Sequence, residues 1–88
     1  MDVDAKLPVS LFEGKTILVT GGTGSFGGYF IDYLLDKKIK EIRVFSRDEL
    51  KQDNMRLRLK NSKVKFYIGD VRDRSSVDDA MAGANYVF

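Results

Sequence analysis

The 88-residue sequence contains no cysteine and no histidine. The first absence excludes a disulfide framework and thiolate metal ligands. The second removes the commonest general base and the commonest metal ligand. No segment approaches the roughly 20 consecutive apolar residues of a membrane span. Met1–Lys6 carries acidic residues and precedes no long apolar run, so it reads poorly as a signal peptide, and a cytoplasmic location is the expectation. The chain also lacks a strong charge imbalance: its formal net charge is +2, too small for a nucleic-acid footprint. Arg56, Arg58, Lys60, Lys63 and Lys65 alternate with Leu57, Leu59, Val64 and Phe66, the pattern of solvated helix and strand faces. Asp70, Asp73, Asp78 and Asp79 lack the spacing of a calcium loop, and no metal site is expected.

Glycine is locally abundant. Gly21, Gly24 and Gly27 stand in a G-x-x-G-x-x-G spacing within Thr20-Gly21-Gly22-Thr23-Gly24-Ser25-Phe26-Gly27. The apolar, β-branched run Thr16–Thr20 precedes it and reads as a buried strand. After it, Phe26, Phe30, Ile31, Leu34 and Leu35 recur at helical spacing, predicting a helix over about 25–37. Strand, glycine turn and helix in that order make a phosphate cradle, in which backbone N–H groups and the helix N-terminus face a pyrophosphate. Gly21 is expected to permit the tight turn, Gly24 the approach of backbone to pyrophosphate, and Gly27 close packing of the helix on the sheet. Thr23, Ser25 and Phe26 line the same loop.

The remaining pattern continues the alternation. Strands are expected at 41–45, 64–68 and from Tyr86, with helices at about 48–60 and 75–82. In the second helix Met55 and Leu59 form the clearest apolar pair, with Leu50 and Leu57 out of phase. In the third, Val77, Ala80 and Met81 share a face, Ser75 gives a weak capping signal, and Gly83 suits the C-terminal cap. This βαβαβαβ order predicts an α/β, NAD(P)-binding Rossmann-like fold with a parallel sheet in the order 3-2-1-4. Residues 1–13 read as a lead-in, and residues 14–88 as the N-terminal part of a dinucleotide-binding domain, truncated just after the start of strand four.

Two more places carry chemistry. An NAD-binding domain usually has an acid at the end of strand two to bind the ribose hydroxyls. Ser46 and Arg47 stand there instead, with Lys51 one turn into the following helix. A guanidinium can fork onto a phosphate and a hydroxyl can donate to it, which favours NADP; alternatively Arg47 and Lys51 decorate a solvated helix start, with Asp48 complicating the charge. At the end of strand three, Asp70 can accept from an adenine amino group and Val71 can cover the ring, or Asp70 caps its own loop.

Lys15–Gly27 resembles the start of the extended short-chain dehydrogenase/reductases. Val44–Gln52 and Phe66–Asp73 resemble the UDP-N-acetylglucosamine 4,6-dehydratases of bacterial surface-sugar biosynthesis, with Ser46–Gln52 the more specific signature. The resemblance implies cofactor contacts from Thr23, Gly24, Ser25 and Phe26, from Ser46, Arg47, Asp48, Glu49, Leu50 and Lys51, and from Asp70 and Val71. It also implies an NADP cofactor, a UDP-sugar substrate and a homo-oligomeric parent enzyme. The family's catalytic residues lie beyond the fourth strand, so none is expected here. Tyr33 and Lys37 share the Tyr-x-x-x-Lys spacing, but in a helix beside the glycine loop, the wrong place for that step. A sugar-nucleotide epimerase and a non-catalytic cofactor sensor are the alternative readings.

Overall fold

A computed structural model of the chain describes residues 9–88. Four strands form one sheet: β1 (Thr16–Thr20), β2 (Glu41–Ser46), β3 (Val64–Ile68) and β4 (Tyr86–Val87). Three helices connect them: α1 (Ser25–Leu35), α2 (Glu49–Leu59) and α3 (Arg74–Met81). All strand pairs are parallel and the order is β3-β2-β1-β4, as the alternation predicts. Because the strands are parallel, β1, β2 and β3 end at one edge of the sheet, and each helix begins there.

Strand side chains alternate between two faces. Ile17, Val19, Ile42 and Val44 point to one, where Phe30, Ile31 and Leu34 of α1 and Met55 of α2 cover them. Leu18 and Phe45 point to the other, where Ala80 and Val77 of α3 pack. Fully burying one such aliphatic or aromatic side chain contributes about 1.5–3 kcal/mol, so these layers hold the sheet edge in place.

α2 has little apolar surface. Its inner face is Gln52, Met55 and Leu59, at spacings of three and four, while Leu50 and Leu57 are exposed as their phase implies. α1 ends two residues earlier than its sequence pattern suggests, because the Lys37 amide donates to the Leu34 carbonyl and tightens the last turn. α3 starts at Arg74, and its cap is the Asp73 carboxylate, not Ser75. Met81 is exposed, because only Val77 and Ala80 of this short helix reach the sheet. Arg43 on β2 ties the end of α3 down by donating to the Ala80 carbonyl at 2.9 Å.

Of the expected lead-in, residues 1–8 lie outside the described residues; Val9–Phe12 form a 3-10 turn and Phe12 is fully buried. Its ring meets Phe30, Tyr86 and Phe88 edge-on, with centroid separations of 6.2, 5.7 and 6.1 Å. A domain boundary at 13/14 would therefore remove a core residue.

Candidate functional site

The chain leaves β1 through Gly21, whose φ of +64° lies in the left-handed region that side-chain-bearing residues avoid. Its amide still reaches the Phe45 carbonyl of β2 at 2.9 Å, so the turn begins while attached to the sheet. Gly27, one turn into α1, is the tightest point. A Cβ there would lie 2.6 Å from the Gly22 Cα and 2.7 Å from the Gly21 carbonyl oxygen. The close approach is thus between α1 and the turn's own backbone, and not between α1 and the sheet as the sequence pattern suggests. Gly24 caps α1 in an extended conformation and supplies no side-chain hydrogen bond, and the first turn carries no acid. The N-terminal amides of α1 are therefore open to an outside acceptor.

The end of β2 is built from side chains. Ser46 is buried, Arg47 is exposed, and Asp48 caps α2 by accepting from the Lys51 amide at 2.9 Å. That hydrogen bond directs the Asp48 carboxylate at the start of its own helix. Gln52, fully buried, reaches back under this corner. Its Nε2 donates to the Ser46 hydroxyl oxygen at 3.0 Å and to the Tyr67 carbonyl of β3 at 2.9 Å, joining the two strand ends.

At the end of β3, Asp70 is already engaged. Its Oδ1 accepts from the Arg72 amide at 2.9 Å and from Arg72 Nε at 3.1 Å, and its Oδ2 accepts from Arg72 Nη2 at 2.7 Å. Arg47 Nη1 approaches the same oxygen at 3.5 Å, linking the ends of β2 and β3. The Arg72 side-chain and backbone hydrogen bonds hold the Asp70 carboxyl far below the usual carboxylate range. Asp70 thus closes its own loop in an Asx turn, the second of the two readings its position allows, and a ligand amino group would have to share a carboxylate that Arg72 already grips.

These three ends border a continuous groove. An open depression of about 310 Å³ is lined by Gly21, Phe45, Ser46, Arg47, Gly69, Asp70, Val71 and Arg72. Ser46 and Arg47 also border a second, with Thr23, Asp48 and Glu49. Thr23 borders a third, with Gly24, Ser25 and Lys51 among its walls. The groove thus gathers most residues the sequence nominates. It does not gather Leu50, which is exposed, Gly27, which packs against the turn's backbone, or the ring of Phe26, which stacks on Phe30 at 5.8 Å; none of the three lines a depression. Lys37 Nζ sits 4.4 Å from the centroid of the Tyr33 ring near the far end of α1, away from the groove.

Gln52 and Arg72 are the residues that sequence reasoning misses. Arg72 carries a weak signal, since an aspartate commonly bonds the backbone two residues on. Gln52 carries almost none: a glutamine in a polar helix reads as solvent-facing.

Among the described residues no helix is long and apolar enough to cross a membrane. Residues 17–88 match the polysaccharide biosynthesis protein family. A UDP-glucose 4-epimerase of Rickettsia bellii is 58% identical over 82 residues, covering 89% of this chain and 24% of the relative. The chain thus spans about a quarter of the length of the curated relatives it matches. The structure of Pen from Bacillus thuringiensis superposes with a TM-score of 0.84 at 36% identity, covering 88% of this chain and 24% of that one. WbmF of Bordetella bronchiseptica, solved in complex with NAD+ and UDP, shares the fold with a TM-score of 0.71 at 18% identity, over 90% of this chain and 23% of that one. The glycine turn and the ends of β2 and β3 all fall within the matched residues, and the chain belongs to the polysaccharide biosynthesis protein family.

Proposed function

We propose that this chain is the NADP-binding part of a sugar-nucleotide-modifying enzyme, a UDP-N-acetylglucosamine 4,6-dehydratase. The observation that carries the reading is the uncapped N-terminus of α1, facing a groove whose other walls are Ser46, Arg47 and Lys51. A dinucleotide fits this arrangement end to end. The amides at the start of α1 suit the pyrophosphate, and the end of β2 suits the adenosine ribose. Two features favour a ribose phosphate over a free hydroxyl. The Arg47 guanidinium is exposed beside the groove, and the only carboxylate next to it in sequence, Asp48, is turned into the α2 cap. Val71, 63% exposed on the wall of the first depression, suits the face of the adenine ring.

The bound nicotinamide would supply a reversible hydride acceptor: the hydride taken from sugar C4 would be the one given back to C6 after loss of water across C5 and C6, with a proton added at C5. The part of this chain is to bind and orient that cofactor, since the family's proton-transferring residues lie beyond these elements. The name carried by the Rickettsia relatives favours a second reading, UDP-glucose 4-epimerase, in which the hydride returns to C4 on the opposite face. Both reactions use the same cofactor groove.

Titrating NADP and NAD into the chain tests the cofactor reading. Arg47→Ala is expected to weaken NADP by roughly tenfold or more, the worth of a charge-assisted hydrogen bond, and to leave NAD within about twofold. Equal losses would remove the phosphate role of Arg47. A full-length polypeptide carrying these residues separates the two reactions. Proton NMR in deuterated water is expected to show a 4-keto-6-deoxy product from UDP-N-acetylglucosamine; conversion of UDP-glucose to UDP-galactose, without that product, would establish the epimerase.

A further inference from the structure

We infer that Gln52 fixes the direction of the Ser46 hydroxyl, so that Ser46 donates into the groove and Gln52 is a positioning residue for cofactor choice. This deepens the dinucleotide reading above and rests on it.

Gln52 is fully buried, and its amide nitrogen lies 2.9 Å from the Tyr67 carbonyl, 3.0 Å from Ser46 Oγ and 3.4 Å from the Ser46 carbonyl. Two of these neighbours are carbonyl oxygens, which only accept. The nitrogen end of the amide must face them, because turning the amide over would set oxygen against oxygen. The NH2 group has two hydrogens. The Tyr67 carbonyl and the Ser46 hydroxyl oxygen are the shorter partners, while the Ser46 carbonyl already accepts from the Gly69 amide at 3.0 Å. Ser46 Oγ is therefore held as an acceptor on its buried side. Its one hydrogen has no acceptor among the described residues, and Ser46 forms part of the wall of two adjoining depressions of the groove.

A hydroxyl held in this way presents a donor. Phosphate oxygens are acceptors, so the match to a 2′-phosphate is charge-assisted and roughly twice as strong as a bond to a neutral ribose hydroxyl. The other end of the amide sharpens the point. Gln52 Oε1 is buried without a partner among the described residues. An apolar side chain of similar shape would avoid that cost, so the use of the amide lies in what its nitrogen holds.

The test uses the 88-residue chain with NADP and NAD titrated by calorimetry. Gln52→Met keeps the length of the side chain and removes the amide. NADP affinity is expected to fall by about tenfold and NAD affinity by no more than about threefold. Ser46→Ala should give a similar loss for NADP, and the double variant should lose no more than Ser46→Ala alone, since the two residues act through one hydroxyl. Equal weakening of both dinucleotides, or additive losses, would assign Gln52 a structural role only and overturn the inference. Should circular dichroism show Gln52→Met unfolded, the unmodified chain decides. The Gln52 side-chain NH2 signals in a 1H–15N NMR spectrum should move on saturation with NADP and stay in place with NAD. Equal movement with both, or none with NADP, overturns the inference. A chain that binds neither dinucleotide defeats the cofactor reading itself, whereas an NADP preference that survives Gln52→Met defeats this inference alone.

Discussion

Three helices begin at the same edge of the sheet, and they begin differently. α2 and α3 are closed by their own aspartates: Asp48 accepts from the Lys51 amide, and Asp73 from the Ser75 amide. α1 begins at Gly24 with no side-chain cap at all. The closed starts satisfy the helix within the chain, at a gain of about 1 kcal/mol each. The open start leaves amide donors and the positive end of the helix dipole for something else. The difference is what singles out the start of α1 for the pyrophosphate in the proposed reading. It also explains why the two capped corners could take on a second task, that of building side-chain walls.

The sharpest way to break this contrast is Gly27→Ala. The added Cβ would collide with backbone atoms of Gly21 and Gly22, which cannot move aside as a side chain can. A destabilisation of about 3 kcal/mol, the upper range for overpacking, is expected in urea unfolding, together with loss of detectable dinucleotide binding. Gly24→Asp erases the contrast from the other side by giving α1 the cap it lacks. Position 24 has a φ of −78°, which side-chain-bearing residues adopt freely, and an added Cβ would lie 3.3 Å from the Gly21 carbonyl oxygen, a contact that a shift of a few tenths of an ångström relieves. The variant should unfold at slightly higher urea concentration, by a few tenths of a kcal/mol, yet bind either dinucleotide at least about tenfold more weakly, because a carboxylate would hold the pyrophosphate's place. Unchanged binding would show that α1's open start is not the anion site.

Asp48→Ala turns a closed start into an open one. It should cost about 1 kcal/mol in unfolding experiments. The smallest effect concerns acid. Asp70 is held far below, and Asp73 below, the ordinary aspartate value of 3.8, the first by Arg72 and the second by the hydroxyls of Ser76 and Ser75. A depressed folded-state value means that the stabilisation is complete above the unfolded-state value and disappears as pH falls through the folded one. Urea midpoints should therefore hold down to about pH 4 and decline below it, and Asp70→Asn should flatten that decline. An unchanged acid slope in Asp70→Asn would show that the Arg72 fork contributes nothing to the fold.

The contrast also marks how far the sequence could be read. The strand order and the glycine turn were legible because short apolar runs such as Thr16–Thr20 alternate with helical periods and the glycines sit between the first strand and the first helix. Capping of α2 and α3 was half legible: Asp48 lay within the expected helix, and Asp73 lies two residues before the serine signal at Ser75. The interlock of Gln52, Ser46 and Tyr67 was not legible. It depends on two strand ends coming close enough for one amide to reach both, a distance that exists only after β2 and β3 pair. The same holds for Arg47 and Asp70, which meet across 23 residues of sequence. Pattern rules describe what each element does alone, and the walls of this groove are made between elements.

The ring of Phe12 has a consequence for how the fold is acquired. It is nearly the first described residue, and its edge-on partners Tyr86 and Phe88 are among the last. β4 itself is two residues long and pairs with β1 through Ile17↔Tyr86 and Leu18↔Val87. Among the described residues, the contact between Phe12 and Phe88 thus closes one of the longest loops in the fold. Closing so large a loop carries most of its entropic cost before any reward. Phe12 and β4 should therefore dock together and late, after β1, β2 and β3 have paired, and until then the nascent chain holds an aromatic ring with nothing yet made to cover its second side.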